Sequence, residues 1–224
     1  RVEVIEKDDA AGGLLRYGIP DFKLNKKIID RRLNILEQEG ISFRTSVEVG
    51  KDISARDLLH SFDAICLAIG AREPRDLKIP GRELQGIYFA MDFLSNQNRL
   101  ARKHPSNGET AIHAKNKHVV VIGGGDTGSD CVGTANRQGA QSITQLEILP
   151  KPPDNKGSNP NWPWPQKTLK TSSSHEEGCQ RIWSVASKRF IGSDNRVKEI
   201  EIVDITWQKD KNGRMQMKEI ESSK

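Results

Sequence analysis

Hydrophobic and polar positions alternate along the chain at two spacings, which predict helices and strands in turn. Helical spacing predicts helices over residues 25–40 and 54–59, within residues 86–102, and after a glycine motif to about residue 138. Short apolar or alternating runs predict strands over residues 2–5, 41–49, 63–69, 119–122, 142–149, 181–191, 196–209 and 215–220, the last two joined by a hairpin turn at Asn212-Gly213. The succession of helix, strand and parallel strand indicates an α/β layer.

Glycine, proline and capping residues predict where these elements end. Gly40 suits the position just past the first helix, and Ser54 suits the N-cap of the second. Three glycines and a proline among large apolar side chains make residues 12–24 a poor helix and a poor strand. Those apolar side chains must bury against a ligand or a neighbouring core. A second irregular segment, residues 159–165, carries two tryptophans and docks either on another surface or on the flank of its own domain.

The most informative stretch begins with residues 119–122, four β-branched residues that predict a strand buried on both faces. Gly123, Gly125 and Gly128 follow in G-x-G-x-x-G spacing. The first permits a tight turn, the second lets backbone approach a pyrophosphate, and the third lets the helix pack close to the strand. Because a second strand with Glu147 follows at the usual distance, the stretch predicts a dinucleotide site at a helix N-terminus. The alternative is a glycine-rich turn without a ligand.

Composition narrows the function classes. With 224 residues the chain has room for one large domain or two small ones. It has no run of eighteen apolar residues and no signal-peptide pattern, so we expect a soluble, cytoplasmic protein with no membrane partner. A net charge of +5, spread over 35 basic and 30 acidic residues, does not indicate a nucleic-acid partner. The three cysteines lie too far apart for iron–sulfur ligation, and no metal site is expected. We expect His175 to be a hydrogen-bonding loop residue rather than a catalyst.

Five longer motifs resemble the small (β) subunit of NADPH-dependent glutamate synthase. They are residues 12–24 (GGLLRYGIPDFKL), 67–71 (LAIGA), 121–131 (VIGGGDTGSDC), 146–153 (LEILPKPP) and 173–179 (SSHEEGC). The resemblance therefore covers essentially the whole chain. It implies a Rossmann-like NAD(P)H-binding domain, residues 82–224, inserted into an incomplete FAD-binding domain, residues 1–81, in the three-layer arrangement of the glutathione-reductase group.

The resemblance also implies functional residues and a role. Glu6 would meet the FAD ribose, and the further flavin-side residues would be Gly12, Gly13, Leu14, Arg16, Gly18, Ile19, Val49, Ala68 and Gly70. The NADPH pyrophosphate loop would be formed by Gly123, Gly124, Gly125, Asp126, Thr127 and Gly128. In the family, hydride passes from NADPH to FAD, and electrons then cross iron–sulfur clusters to a large subunit that makes glutamate from glutamine and 2-oxoglutarate. Because the cofactors carry this chemistry, no side chain is predicted to be catalytic.

Three questions stay open at this point. The chain begins in mid-strand at Arg1 and stops at Lys224 where a further strand would follow, so we expect a fragment truncated at both ends, inactive by itself, with the iron–sulfur domain before Arg1. Glu147 suits NADH, whereas Lys151 and Arg137 could meet the 2′-phosphate of NADPH. We predict that these two cations decide the cofactor preference in favour of NADPH, provided that Glu147 points away from the ribose. The alternatives are a related flavin oxidoreductase with ferredoxin or another partner, or a nucleotide-binding module without activity.

Overall fold

The computed structural model describes residues 1–71, 73–102, 112–154 and 168–220. Over these residues the helices are α1 (Gly13–Tyr17), α2 (Lys26–Gln38), α3 (Ala55–Ser61), α4 (Ala90–Ala101), α5 (Asp126–Arg137) and α6 (Ser173–Glu176). The strands are β1 (Val2–Ile5), β2 (Ile41–Arg44), β3 (His118–Ile122), β4 (Ser142–Glu147), β5 (Gln180–Trp183), β6 (Val185–Ser193), β7 (Arg196–Lys209) and β8 (Met215–Glu219). No helix among them is long and apolar enough to cross a membrane.

The chain divides into two compact units. Unit 1 comprises residues 1–75 and 94–109, and unit 2 comprises residues 76–93 and 110–224, so one of the three boundaries falls within α4. The division into a flavin-side domain over residues 1–81 and a pyridine-nucleotide domain over residues 82–224 stays a prediction. The predicted tryptophan-rich loop over residues 159–165 lies outside the described residues.

Unit 1 contains a two-stranded parallel sheet in which β1 pairs with β2, from Val2 opposite Ile41 onward. Helix α2 separates these strands in the sequence. It begins where the Asn25 side chain accepts a hydrogen bond from the backbone N–H of Lys27 at 3.0 Å, and a positive-φ Gly40 follows it, as predicted. The strand predicted over residues 41–49 ends early, at Arg44. The physical reason is Ser46, whose φ of 57° interrupts the extended conformation.

Two further predictions in unit 1 are wrong. Residues 12–24 are not free of regular structure, because Leu-Leu-Arg-Tyr closes one helical turn in α1, and the N–H groups of Gly18 and Ile19 both donate to the carbonyl of Leu14 at 2.9 Å. Residues 63–69 do not form a buried strand. Their backbone pairs with no strand of the described chain, and the side chains of Leu67 and Ile69 are about four-fifths exposed, at 80% and 81%. An apolar run becomes a strand only where a neighbouring strand can satisfy its backbone.

Unit 2 contains a parallel sheet in the order β3–β4–β5, and helix α5 connects β3 to β4. One face of this sheet and one face of α5 supply a buried core, which includes Val121, Val132, Ala135 and Ile143. The prediction that residues 119–122 are buried on both faces is wrong, because alternate residues of β3 are 45% and 47% exposed. In the described part of the chain β3 is an edge strand, packed on one side only.

A second, antiparallel sheet in unit 2 has the order β6–β7–β8. The single strand predicted over residues 181–191 is divided in two, because Ser184 takes a φ of 57° and turns the chain from β5 of the parallel sheet into β6 of the antiparallel sheet. Val185, Val203 and Ile205 are almost fully buried at the centre of this region. The predicted hairpin turn is confirmed: Gly213 has a φ of 77° between β7 and β8.

Candidate functional site

The turn between β3 and α5 has the stereochemistry that its glycines require. Gly123 adopts a φ of 118°, which glycine reaches without steric cost, and its N–H donates to the Leu146 carbonyl at 2.8 Å. A Cβ on Gly128 would lie only 2.4 Å from the Gly123 carbonyl oxygen. The first and third glycines are therefore fixed by the turn itself and by the close approach of the helix to it.

Gly125 differs from these two, because neither its backbone nor its surroundings require glycine. It is the N-cap of α5 with φ −76° and ψ −178°, and a Cβ placed there would meet no atom within 4 Å. Among the described residues no side chain caps this helix end. The first N–H groups of a helix have no partner inside the helix, so they are available to an anion that approaches through the open space at Gly125.

This helix end opens into a cleft of about 410 Å³. The cleft is bounded by the glycine turn, the carboxyl end of β4, helix α6, strand β5, and residues 149, 150, 152, 168–170 and 172. In parallel α/β sheets ligands bind outside the carboxyl ends of the strands, which is where this cleft lies. The open N-cap fits a pyrophosphate, and the residues present are therefore compatible with a bound dinucleotide.

A hydrogen-bonded network of side chains from β4 and α6 supports the turn. Gln145, 2% exposed, donates through Nε2 to the Gly123 carbonyl at 2.8 Å, and its Oε1 is 2.9 Å from His175 Nε2. The backbone N–H of Ser172 donates to His175 Nδ1 at 3.2 Å, so Nε2 is the protonated nitrogen and donates to Gln145. His175 is thus a hydrogen-bonding residue in these contacts, as expected, but it lies in helix α6 rather than in the predicted loop. Sequence reasoning missed Gln145, although a polar residue inside an apolar strand is a signal for such a network.

The structure also shows where the three residues predicted to set cofactor preference lie. Glu147 turns into the cleft: its Oε1 accepts from the Leu149 N–H at 3.0 Å, and its Oε2 lies 2.0 Å from the position that a Cβ on Gly124 would take. The condition on which Lys151 and Arg137 would decide the cofactor preference, that Glu147 points away, is therefore not met. Arg137 forms an ion pair with Glu177 at 2.7 Å and does not line the cleft.

Lys151 lies beside the cleft rather than in its lining. Its ammonium group is 3.2 Å from the Asp154 carboxylate and 5.8 Å from the centre of the Trp183 ring. Strand β5 brings a further cation, Arg181, into the lining together with Trp183. Sequence reasoning missed both β5 residues because the parallel pairing of β5 with β4 is not visible in the local pattern.

The residues predicted on the flavin side all lie in unit 1. Glu6 follows β1 and accepts from the Asp8 N–H at 3.0 Å. Gly12, Gly13, Leu14, Gly18 and Ile19 belong to the segment around α1, where Gly13 faces open space and Leu14 is 58% exposed. Val49, Ala68 and Gly70 are exposed, and Gly70 has a φ of 66° with nothing near its Cβ position. This open backbone and exposed apolar surface are compatible with a flat apolar ligand.

Arg16 is the exception among these residues, because it is buried at 2% exposure. Its Nη2 donates to Asp30 Oδ1 at 2.7 Å and its Nε donates to the Ala11 carbonyl. Nη1 is buried with no hydrogen-bond partner among the described residues. These contacts make Arg16 a structural residue of the segment around α1, and its predicted contact with FAD stays a prediction.

Comparison with known proteins agrees with this geometry. Residues 57–161 match the family described as pyridine nucleotide-disulphide oxidoreductase. The glutamate synthase [NADPH] small chain of Mycobacterium tuberculosis (strain H37Rv) is 48% identical over 208 residues, which cover 92% of this chain and 43% of that protein. The glutamate synthase [NADH] of Schizosaccharomyces pombe is 42% identical over 231 aligned residues, covering 99% of this chain and 11% of that protein.

A solved structure shares the fold. Mycobacterium tuberculosis FprA in complex with NADPH matches with a TM-score of 0.73 at 17% identity, over 98% of this chain and 60% of that one. The predicted α/β fold class is confirmed. The chain spans less than half the length of the bacterial small chain that it matches. The chain is a homologue of the small chain of NADPH-dependent glutamate synthase, and it carries a pyridine nucleotide-disulphide oxidoreductase domain.

Proposed function

We propose that this chain is part of an NADPH-dependent flavoprotein oxidoreductase, the electron-input component of a glutamate synthase. Unit 2 binds NADPH at the glycine turn, and unit 1 contributes backbone and apolar surface to an FAD site. NADPH supplies a hydride and FAD accepts it, so the protein's own residues bind and position. On this proposal iron–sulfur clusters held elsewhere in the cytoplasmic enzyme pass the electrons to a large subunit that forms glutamate from glutamine and 2-oxoglutarate.

The observation that carries the proposal is the open N-cap at Gly125. A glycine turn without a ligand would require glycine only where the backbone is strained or crowded, as at Gly123 and Gly128. Gly125 is neither strained nor crowded, and the space beside it leads into the cleft. A ligand that must approach the backbone closely explains a glycine at that position, and a pyrophosphate has the charge that helix N–H groups favour.

The other residues of the site have positioning roles in this proposal. Gln145 fixes the Gly123 carbonyl and thereby the direction of the following N–H groups. His175 fixes the orientation of the Gln145 amide, because its protonated Nε2 needs the amide oxygen as acceptor. The turn is therefore preorganised before the nucleotide arrives, which lowers the entropic cost of binding.

The direct test is to fill the space at Gly125 and measure NADPH binding by calorimetry. The backbone at Gly125 is extended and accepts valine without strain, so Gly125→Val should stay folded. A β-branched side chain there would exclude the pyrophosphate from several N–H groups. We expect NADPH affinity to fall by about 2–4 kcal/mol, roughly a 30- to 800-fold rise in Kd.

A matched control places the same side chain at another helix N-cap. Ser54 caps α3 in unit 1, where its side chain accepts from the Asp57 N–H at 3.1 Å. Ser54→Val should cost about 1 kcal/mol of stability and leave the Kd for NADPH unchanged. An unchanged Kd in a folded Gly125→Val protein would remove the glycine turn from the nucleotide site.

A further inference from the structure

The register of β4 with β5 places four side chains of the cleft on one face of the sheet. Gln145 lies opposite Arg181, and Glu147 lies opposite Trp183. Residues two apart on a strand point to the same side, and directly paired residues on neighbouring strands do so as well. All four line the cleft. An arginine and an indole ring thus lie immediately beside the strand end at which a dinucleotide fold holds the adenosine ribose.

Arg181 is held in a defined position on this face. The carbon of its guanidinium group lies 4.8 Å from the centre of the Trp183 ring, and its Nη1 donates to the Lys170 carbonyl at 3.1 Å. In the described part of the chain, Nη1 is the one nitrogen of this guanidinium group that donates a hydrogen bond. The guanidinium group has five N–H donors in a planar fork, so donors remain for a phosphate group.

The acidic residue at the strand end is already engaged. Glu147 accepts from Leu149 through one oxygen, while the other lies against Gly124. Lys151 adds a second cation at the Trp183 ring, although Asp154 pairs with it. Arg137 is directed to Glu177 instead. Of Arg137, Lys151 and Arg181, Arg181 is therefore the one that lines the cleft, and it has no acidic partner in the described structure. Lys170 also lines the cleft, but it is exposed, and it is its carbonyl that holds Arg181.

We propose that Arg181, held on Trp183 and by the Lys170 carbonyl, receives the 2′-phosphate of NADPH and is the main determinant of the preference for NADPH over NADH. The proposal rests on nucleotide binding in this cleft, as proposed above, and names the residue that reads the phosphate. Lys151 contributes less, because Asp154 offsets its charge. Arg137 contributes nothing direct to this discrimination.

The test compares two fragments of the cofactors on the full chain by calorimetry: 2′,5′-ADP, which carries the 2′-phosphate, and 5′-ADP, which lacks it. We expect the wild-type protein to bind 2′,5′-ADP more tightly. Arg181→Met keeps an apolar stem beside Trp183 and removes the charge, and it should weaken 2′,5′-ADP by about 10- to 100-fold with less than a threefold effect on 5′-ADP. Arg181→Lys should fall between the two, because a lysine keeps the charge and loses the planar fork.

A matched control is Arg189→Met, since Arg189 on β6 pairs with Glu201 at 2.6 Å and lies outside the cleft lining. Its affinities should equal those of the wild type. If the wild type prefers 2′,5′-ADP and Arg181→Met keeps that preference while Lys151→Met loses it, the assignment to Arg181 is wrong. Equal wild-type affinity for the two fragments would also overturn it. Binding of neither fragment, nor of NADPH, would instead reject the proposed nucleotide site itself.

Discussion

The two glycine-containing segments of the molecule are fixed by different kinds of interaction. The shape of the turn over residues 123–128 in unit 2 is set mainly by its own backbone. Gly123 has a positive φ, Gly128 has no room for a Cβ, and α5 follows directly. A single side-chain donor from outside the turn, Gln145, supports its Gly123 carbonyl. The segment over residues 11–24 in unit 1 is held by side chains from outside it. Lys26 donates to the carbonyls of Ile19 and Leu24, and Asn98 donates to the carbonyls of Tyr17 and Ile19.

The buried residues of the two units differ in the same way. In unit 1 the fully or nearly buried set includes the charged side chains of Arg16 and Lys26, each hydrogen-bonded to backbone carbonyls. In unit 2 the buried polar residues of the described chain are uncharged: Ser129, Thr134, Gln145 and Ser174. A turn built from local stereochemistry can be packed with apolar and neutral residues. A segment with little regular structure exposes carbonyls inside the fold, and strong donors must satisfy them.

The largest expected effect comes from adding one methyl group to the turn of unit 2. In Gly128→Ala the new Cβ would lie 2.4 Å from the Gly123 carbonyl oxygen and 2.9 Å from Gln145 Nε2, so the helix or the turn must shift. We expect a loss of about 2–3 kcal/mol in the free energy of unfolding. All four tryptophans of the sequence lie in the ranges of unit 2, so urea unfolding followed by tryptophan fluorescence reports on this region.

Gly125→Ala is the matched control for that prediction. The same substitution three positions earlier places a Cβ that meets no atom within 4 Å, and the stability of this variant should stay within about 0.5 kcal/mol of the wild type. Equal stability losses in the two alanine variants would show that local crowding does not distinguish the glycines, and the contrast between the two segments would lose its basis.

This contrast also explains how much could be predicted from the sequence. The strand, turn and helix around Gly123 were predictable because the apolar run and the glycine spacing that mark them lie together within residues 119–138. The strand expected over residues 63–69 was not, since apolar composition shows what a strand would bury but not whether another strand pairs with it. Arg181 and Trp183 entered the cleft through the pairing of β5 with β4, about 36 positions apart in the sequence. Such pairings cannot be predicted from local sequence patterns.

An intermediate effect is expected from removing a distant donor in unit 1. Asn98 is 4% exposed, and its Nδ2 donates at 3.0 Å to the Tyr17 carbonyl and at 3.1 Å to the Ile19 carbonyl. Asn98→Ala leaves both buried acceptors without this donor, which should cost about 2 kcal/mol. Hydrogen exchange of the Gly18 and Ile19 amides, whose acceptor is the Leu14 carbonyl, should become faster.

The control for Asn98 is Asn34→Ala in α2, an exposed helical asparagine that accepts from Gln38 at 2.7 Å. Both substitutions replace asparagine by a better helix former, so the intrinsic helical gain cancels between them. Asn34→Ala should leave exchange at Gly18 and Ile19 unchanged. If the two variants behave alike, side chains from other parts of unit 1 do not hold the segment, and its order must come from its own single helical turn.

The smallest effect concerns a charged cluster in unit 1 and is expected to depend on pH. The Tyr17 hydroxyl donates to Asp9 Oδ1 at 2.6 Å, and Arg99 donates to the same oxygen at 2.9 Å. The Tyr17 hydrogen bond, together with Arg99, lowers the pKa of Asp9 below its ordinary 3.8. Burial, together with the Asp9 carboxylate, raises the pKa of Tyr17 from 10.0 to about 12. Tyr17→Phe should therefore cost about 1 kcal/mol at neutral pH.

The direction of each pKa shift determines how the stability difference between wild type and Tyr17→Phe depends on pH. Because the folded-state pKa of Asp9 is lowered, its contribution is present above pH 3.8 and is lost as the pH falls through the folded value. Because the folded-state pKa of Tyr17 is raised, its contribution is present below pH 10 and is lost as the pH rises from 10 to about 12. The stability difference, measured by urea unfolding with circular dichroism, should therefore form a plateau between about pH 4 and pH 10 and shrink on both sides.

Tyr88→Phe, at a tyrosine that is 56% exposed, should show neither decline. A difference for Tyr17→Phe that stays constant from pH 3 to pH 11 would show that packing of the ring, and not its hydroxyl group, secures this end of the segment.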